Sequence, residues 1–163
     1  MLGPREDYTC WDDCFMAVAE VMAGRSKDPN TQVGCCLVDR KNHIVGTGYN
    51  GFPKSIASDA LPWDREGEPL LTKYLYVSHA EQSAIDNSDR HLLDGSRAYV
   101  SLFPCHSCAI RLIQNGIVEV VYLYDQYHDT DSCIAARKMF DLAGVKYRKF
   151  EPQKDQIVIQ FGG

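Results

Sequence analysis

The order of hydrophobic and polar positions predicts an α/β chain that opens with a helix and a hairpin. Apolar residues recur at helical spacing over 8–23, and Gly24 is expected to end that helix. The β-rich stretches 32–39 and 43–49 flank a polar turn, which is typical of a β-hairpin. We therefore expect one helix and two antiparallel strands in the first third of the chain.

The second half of the chain alternates between strand and helix patterns. Helices are expected over 79–87, 105–114 and 130–143, and strands over 98–103, 118–124, 145–150 and 157–161. An irregular region with three prolines, 50–77, precedes them, and so long a loop is more often functional than a linker. The alternation after an opening hairpin predicts a three-layer α/β/α domain with a mixed sheet.

Length and charge narrow the class of protein further. The 163 residues suit a single domain spanning 1–163. A net charge of −5 disfavours a polyanionic partner such as nucleic acid, because such binding needs clustered cations. No signal peptide is visible, and no apolar run approaches the ~18 residues that a membrane span requires. We expect a cytoplasmic protein with no membrane partner.

Seven cysteines raise the question of disulfides or metal. Their odd number, without a secretion signal, favours metal ligands and core thiols over a disulfide framework. Cys35 and Cys36 are neighbours on a predicted strand, so their side chains should point to opposite faces. Cys10 and Cys14 lie one helical turn apart, but no third ligand is near them in sequence, which favours core packing.

Two short motifs, His79-Ala80-Glu81 and Pro104-Cys105-His106-Ser107-Cys108, each open a predicted helix. Cys105 and Cys108 are three residues apart, so both thiols project from one face of a first helical turn. His79 supplies a third ligand from the neighbouring helix. One nitrogen and two sulfurs leave the fourth tetrahedral position free for water, which is the pattern of catalytic rather than structural zinc.

Glu81 lies two residues from His79, close enough to reach such a water without binding the metal. This order of residues is the signature of zinc nucleobase deaminases. Zinc lowers the pKa of a bound water toward ~7, which makes a nucleophile available for C4 of a cytosine. Glu81 is the predicted catalytic residue: it would carry protons from the water to the ring and to the departing amine.

Beyond these motifs, the sequence resembles the cytidine and deoxycytidylate deaminase superfamily, and most closely its deoxycytidylate (dCMP) deaminases. The resembling segments are 15–19, 25–34, 48–53, 103–105 and 127–129, which occur in the same order as in the family. The resemblance implies a five-stranded central sheet and one catalytic Zn²⁺ per subunit. It also implies hydrolytic conversion of dCMP to dUMP and ammonia, which feeds dTMP synthesis.

The resemblance further implies regulation and assembly. Many family members are activated by dCTP and inhibited by dTTP, with Mg²⁺ accompanying the nucleotide, and they are often homohexamers. The effector is cradled in the family at the positions that correspond here to Gly48, Tyr49, Asn50 and Gly51. Glycine suits close approach of backbone to phosphate, although a glycine-rich turn is a weak signal by itself.

Substrate contacts are implied at four more positions. Asn30 falls where the family contacts the substrate. Arg25 and Lys27 carry the nearest dense positive charge and are candidates for the substrate phosphate, with Tyr127 as another. The family usually reads His-Ala-Glu-x-Asn-Ala, but Ser83 stands at the asparagine position and lacks its amide donor and acceptor.

Ser83 therefore predicts an altered substrate or weakened sugar recognition, and it leaves other functions open. One alternative is deamination of a modified dCMP, of dCTP or of another cytosine nucleoside or nucleotide. The other is a non-catalytic, zinc-stabilised nucleotide sensor. Glu81 argues against a sensor, because a purely structural zinc site has no use for a proton shuttle.

Overall fold

The computed structural model, which describes residues 1–162, begins its regular structure with helix α1 (Trp11–Ala23). Cys10 caps this helix, since its sulfur accepts a hydrogen bond from the Asp13 amide at 3.5 Å. Two acidic residues in the first turn, Asp12 and Asp13, suit the positive end of the helix dipole. The apolar face of α1, which includes Phe15, Met16 and Ala19, is buried.

The remaining elements lie within three residues of the predicted bounds. They are β1 (Gly34–Val38), β2 (Ile44–Tyr49), α2 (Ala80–Asp86), β3 (Arg97–Leu102), α3 (His106–Gln114), β4 (Glu119–Tyr124), α4 (Asp131–Ala143) and β5 (Lys146–Lys149). Single 3-10 turns form at Pro69–Leu71, Lys73–Leu75 and Arg90–Leu92. Over residues 1–162, every helix is too short or too polar to cross a bilayer.

The five strands form one mixed sheet in the order β2-β1-β3-β4-β5. β1 pairs antiparallel with both β2 and β3, whereas the β3–β4 and β4–β5 pairs are parallel. The hairpin supplies the antiparallel β1–β2 pair, and the helical crossovers α3 and α4 supply the two parallel pairs. The predicted mixed five-stranded sheet is confirmed.

Helices cover both faces of the sheet, which confirms the three-layer α/β/α architecture. On one face α1 packs with Phe15 and Met16 against Tyr99 and Val121. On the other face α2, α3 and α4 bury a larger core; its members include Leu37, Ile85, Val100, Leu112, Val120 and Phe140. Cys35 belongs to the larger core and Cys36 to the α1 core, because successive side chains alternate across a strand.

Helix α2 lies unusually close to β2, and this contact positions the start of α2. A Cβ atom on Gly48 would come within 2.3 Å of the Ala84 nitrogen and 2.5 Å of the Ala80 oxygen. Glycine is therefore required at position 48 by helix packing alone. The contact therefore fixes the N-terminus of α2, which begins immediately after His79.

The strand predicted over 157–161 is wrong, since this segment has no regular secondary structure. A β-rich pattern forms a strand only where a neighbouring strand pairs with it. Here the tail instead runs past α1, where the Asp13 carboxylate accepts hydrogen bonds from the amides of Gln153 (3.1 Å) and Lys154 (2.9 Å).

Candidate active site

The two sequence motifs meet at one edge of the sheet. β3 ends at Leu102, and Cys105 is the N-cap residue of the helix that follows. His79 is the N-cap residue of the neighbouring helix α2. Sites in open α/β sheets form at the carboxyl ends of strands, and this site follows that rule.

The three predicted zinc ligands converge in space. The Nδ1 atom of His79 lies 3.4 Å from the sulfur of Cys105 and 3.4 Å from the sulfur of Cys108. In a tetrahedral site with Zn–N bonds of about 2.0 Å and Zn–S bonds of about 2.3 Å, such ligands lie about 3.5 Å apart. The donor set therefore fits zinc. No other trio of His, Cys, Asp or Glu side chains within 1–162 comes together in this way.

The electrostatics of this trio favour a thiolate at Cys105 and the protonated forms of Cys108 and His79. The pKa of the Cys105 thiol is lowered to about 3, because its sulfur accepts hydrogen bonds from Cys108, His79 and Ser107, which outweigh its burial. The pKa of Cys108 is raised well above its usual value, first by its hydrogen bond to Cys105. The hydrogen bond between His79 and Cys105 is the largest cause that raises the pKa of His79, to about 9. A preformed thiolate suits a site for a divalent cation.

Glu81 lies on the first turn of α2 with only 4% of its surface exposed. Its carboxylate has no cationic partner within ion-pair distance in the described chain. Burial is the largest cause that raises the pKa of Glu81, because removing the carboxylate from water disfavours its charge. A carboxyl group with a raised pKa can both accept and return a proton near neutral pH.

A cavity of about 350 Å³ opens beside the trio and reaches Glu81. The residues that line it are Asp28, Thr31, Val33, Asn50, Arg65, Lys73, Tyr74, Val77, His79, Ala80, Glu81, Leu102, Phe103, Cys105, Tyr127, Thr130, Ser132 and Cys133. Most of the surface of this wall is apolar although many of its residues carry polar groups, a combination that suits a small-molecule site. Tyr127 is thus the predicted substrate residue that reaches the cavity.

Four other predicted substrate residues lie outside this lining. Arg25 and Lys27 are exposed, and the Lys27 ammonium lies 3.4 Å from the Ser58 hydroxyl. The side-chain amide of Asn30 donates a hydrogen bond to the Trp63 carbonyl oxygen at 3.1 Å. Ser83 is half-buried on α2. Their contacts with substrate stay predictions.

The four residues predicted to cradle an effector have different surroundings. Gly48 is buried under α2, and Gly51 exchanges backbone hydrogen bonds with Ser78. Asn50 lines the cavity, where its side chain accepts from the Val33 amide at 2.8 Å and donates to the Thr31 carbonyl at 2.9 Å. Tyr49 is the last residue of β2. The effector site stays a prediction.

Sequence reasoning missed Arg65, Lys73 and Asp28, which the long loop and the turn before β1 bring to the cavity. The Arg65 Nε atom lies 3.2 Å from the Tyr74 hydroxyl. The pKa of Tyr127 is lowered, first by a hydrogen bond from Gln126 and then by the Arg65 charge. No periodic pattern connects these positions, because the loop has no repeating structure from which their meeting could be predicted.

Comparison with known sequences agrees with a zinc site at these residues. The family described as the cytidine and deoxycytidylate deaminase zinc-binding region matches residues 9–124. Deoxycytidylate deaminase of Homo sapiens is 52% identical over 158 residues, which cover 96% of this chain and 89% of that protein. A probable deoxycytidylate deaminase of Drosophila melanogaster is 48% identical, covering 96% of this chain and 80% of that protein.

Solved structures give the same result for the fold. The dCMP deaminase of cyanophage S-TIM5 in complex with dCMP and dUMP superimposes with a TM-score of 0.66 at 27% identity. The match covers 84% of this chain and 94% of that chain. Because the conserved-region match spans most of the chain and includes the convergent His, Cys and Cys residues, this protein belongs to the cytidine and deoxycytidylate deaminase family, whose characteristic region binds zinc.

Proposed function

We propose that this protein catalyses the zinc-dependent hydrolytic deamination of dCMP to dUMP and ammonia. The observation that carries the proposal is the convergence of His79, Cys105 and Cys108 beside a cavity that reaches the buried carboxyl group of Glu81. The names of the human and Drosophila relatives and the nucleotides bound to the phage enzyme support dCMP as the substrate.

The proposed mechanism assigns proton transfer to Glu81 and metal binding to His79, Cys105 and Cys108. Zinc held by these three ligands would lower the pKa of a water molecule to ~7. Glu81 would accept a proton from the water that adds to C4 of cytosine and deliver it to N3 of the ring. Glu81 would then carry the proton of the new C4 hydroxyl group to the exocyclic nitrogen, so that the C4–N4 bond breaks, C4 keeps the oxygen as a carbonyl group, and ammonia leaves.

Arg65 is our candidate for the substrate phosphate. It lines the cavity, and within 1–162 no carboxylate pairs with it, so its charge is available to an anion. Tyr74 and Tyr127 flank it and offer hydroxyl groups. A guanidinium is well suited to a phosphate because it presents a planar fork of donors.

The test is ammonia release by zinc-loaded protein with dCMP, deoxycytidine and dCTP as separate substrates. We expect dCMP to have the highest kcat/KM. Zinc-loaded, folded protein that releases no ammonia from any cytosine nucleotide would support the sensor instead. A preference for deoxycytidine or dCTP would retain the deaminase chemistry but contradict dCMP as the substrate.

Arg65→Ala and Arg25→Ala form a matched pair for the phosphate assignment. We expect Arg65→Ala to raise the KM for dCMP by about 10-fold or more and to leave the KM for deoxycytidine unchanged, because only dCMP carries a phosphate. Arg25 lies outside the cavity lining, so Arg25→Ala should change neither value. The reverse result would favour the phosphate site predicted at Arg25 and Lys27.

The finer parts of the proposal depend on the family resemblance. They are a role in supplying dTMP synthesis, activation by dCTP, inhibition by dTTP, Mg²⁺ bound with the effector, a homohexameric assembly and a cytoplasmic location. Sedimentation of the zinc-loaded protein with and without dCTP, dTTP and Mg²⁺ tests assembly and effector binding together. A monomer whose kinetics respond to neither nucleotide would contradict both the homohexamer and the regulation, but not the deaminase chemistry.

A further inference from the structure

The wall of the cavity contains a buried ion pair that the catalytic steps above do not use. The Lys73 ammonium contacts the Asp28 carboxylate, and the two residues are only 7% and 2% exposed. Both line the cavity. Charged side chains are rarely buried unless they are paired, and one partner without the other is costly.

The carboxylate of Asp28 is fully occupied by donors. One oxygen accepts from the amides of Asn30 (2.8 Å) and Thr31 (3.3 Å). The other accepts from Lys73 and, at 3.4 Å, from the side-chain amide of Asn50. Asp28 therefore joins three segments: its own turn, the end of β2 and the last part of the long loop.

Lys73 lies six residues before His79 and is held on both sides by its backbone. Its amide donates to the Asp64 carbonyl at 3.0 Å, and its carbonyl accepts from Tyr76 and Val77, each at 3.0 Å. Ser78 is in turn bridged to Gly51 by backbone hydrogen bonds of 2.8 and 3.1 Å. The loop that leads to the zinc ligand is thus fixed at two points, by a side-chain ion pair and by a backbone bridge.

The charge of Lys73 is already matched, which distinguishes it from Arg65. An anionic substrate that bound to Lys73 would have to compete with Asp28 inside a buried pair. Arg65 has no such competitor among the described residues. The surroundings therefore favour a positioning role for Lys73 over a role as a phosphate ligand.

We propose that Asp28 and Lys73 form a positioning pair that holds residues 64–78 against the turn before β1, and so keeps His79 in place for zinc. The proposal rests on the proposed function only for its activity measurements. Zinc retention and unfolding can be measured without turnover, so failure of the positioning pair and failure of dCMP as substrate are distinguishable.

The experiment compares Lys73→Met, Lys73→Arg, Asp28→Asn and the double variant Asp28→Asn/Lys73→Met, with Lys41→Met as the control. Lys41 is an exposed lysine in the turn between β1 and β2, outside the cavity lining. The first measurement is the rate at which folded, zinc-loaded protein releases zinc to a chelator. The second is kcat and KM for dCMP and deoxycytidine.

We expect Lys73→Met to weaken zinc retention by about 10- to 100-fold, the range found when a residue that orients a metal ligand is removed. Lys73→Arg should restore retention to within about threefold of wild type, and Lys41→Met should match wild type. kcat/KM should fall by the same factor for dCMP and deoxycytidine, because Lys73 does not contact the phosphate.

The double variant keeps the test readable if a single variant does not fold, because it removes both buried charges together. Its loss of urea resistance should be smaller than the sum of the two single losses. Additive losses, or zinc release unchanged by Lys73→Met, would overturn the positioning pair. A rise in KM for dCMP alone would instead make Lys73 a phosphate ligand.

Discussion

Two regions of this molecule bury a carboxylate to almost the same extent and use it differently. Asp13, at 3% exposure, accepts two backbone amides and fixes the C-terminal tail against α1. Glu81, at 4% exposure, lies on the cavity without a cationic partner, and burial raises its pKa. Burial alone therefore does not identify a catalytic group; the two carboxylates differ in their surroundings, which are the amides of the tail for Asp13 and the cavity beside the three zinc donors for Glu81.

The largest effect should come from Glu81→Gln, which keeps the shape of the side chain and removes its proton-accepting oxygen. We expect kcat for the proposed deamination to fall by about 10³-fold or more, since general acid–base catalysis contributes up to about 10⁴-fold. Zinc content should be unchanged, because Glu81 is not one of the convergent donors. Ammonia release and bound zinc should be measured on the same sample.

Glu66→Gln is the matched control, since Glu66 is exposed in the long loop. It should leave kcat unchanged. If Glu81→Gln lost zinc together with activity, Glu81 would be needed for zinc binding, and the result would contradict a role in proton transfer alone.

Asp13→Ala should act on stability and leave chemistry intact. Two backbone amides of the tail would lose their charged acceptor, so we expect the free energy of unfolding to fall by about 1–3 kcal/mol, with the tail cleaved faster by protease. Urea denaturation and limited proteolysis measure the two effects. Asp155→Ala is the control, because Asp155 is exposed in the same tail. A fall in kcat without a change in stability would contradict this assignment.

The pH dependence of stability should separate wild type from Glu81→Gln in zinc-free protein. Because the folded-state pKa of Glu81 lies above its usual value of 4.5, its stabilising effect is present below that value and is lost as pH rises through the folded-state pKa. Glutamine does not titrate, so Glu81→Gln does not lose this stability. The Tm of the variant should therefore rise by a few degrees relative to that of wild type between about pH 4.5 and pH 7. If the two proteins show the same dependence of Tm on pH, burial does not raise the folded-state pKa of Glu81.

The smallest effect should come from Ser83→Asn, which restores the residue that the family usually has. Ser83 lies outside the cavity lining, so we expect kcat/KM for dCMP relative to deoxycytidine to change by less than about threefold. A larger shift would revive the sequence-based prediction that Ser83 alters the substrate. Kinetics with both substrates decide between the two.

Several features followed from local sequence patterns. The apolar period of α1, Gly24 at its end and the alternation of β and α segments predicted the element order, with bounds correct to within three residues for every element that forms. The zinc donors were also predictable, because two cysteines three residues apart at a helix start point the same way in any fold. His79 was predicted as the third donor from the known order of the His-x-Glu and Cys-x-x-Cys motifs, because hydrophobic periodicity does not identify a metal ligand.

Tertiary structure decided which residues share the cavity. Asp28 and Lys73 are 45 residues apart, and Arg65 lies in a loop with no repeating pattern, so nothing local predicts that they meet beside Glu81. It also decided that 157–161 forms no strand, because a strand depends on a partner that only the assembled sheet can offer. Local rules set the direction of neighbouring side chains, whereas contacts across long loops depend on the packing of the whole chain.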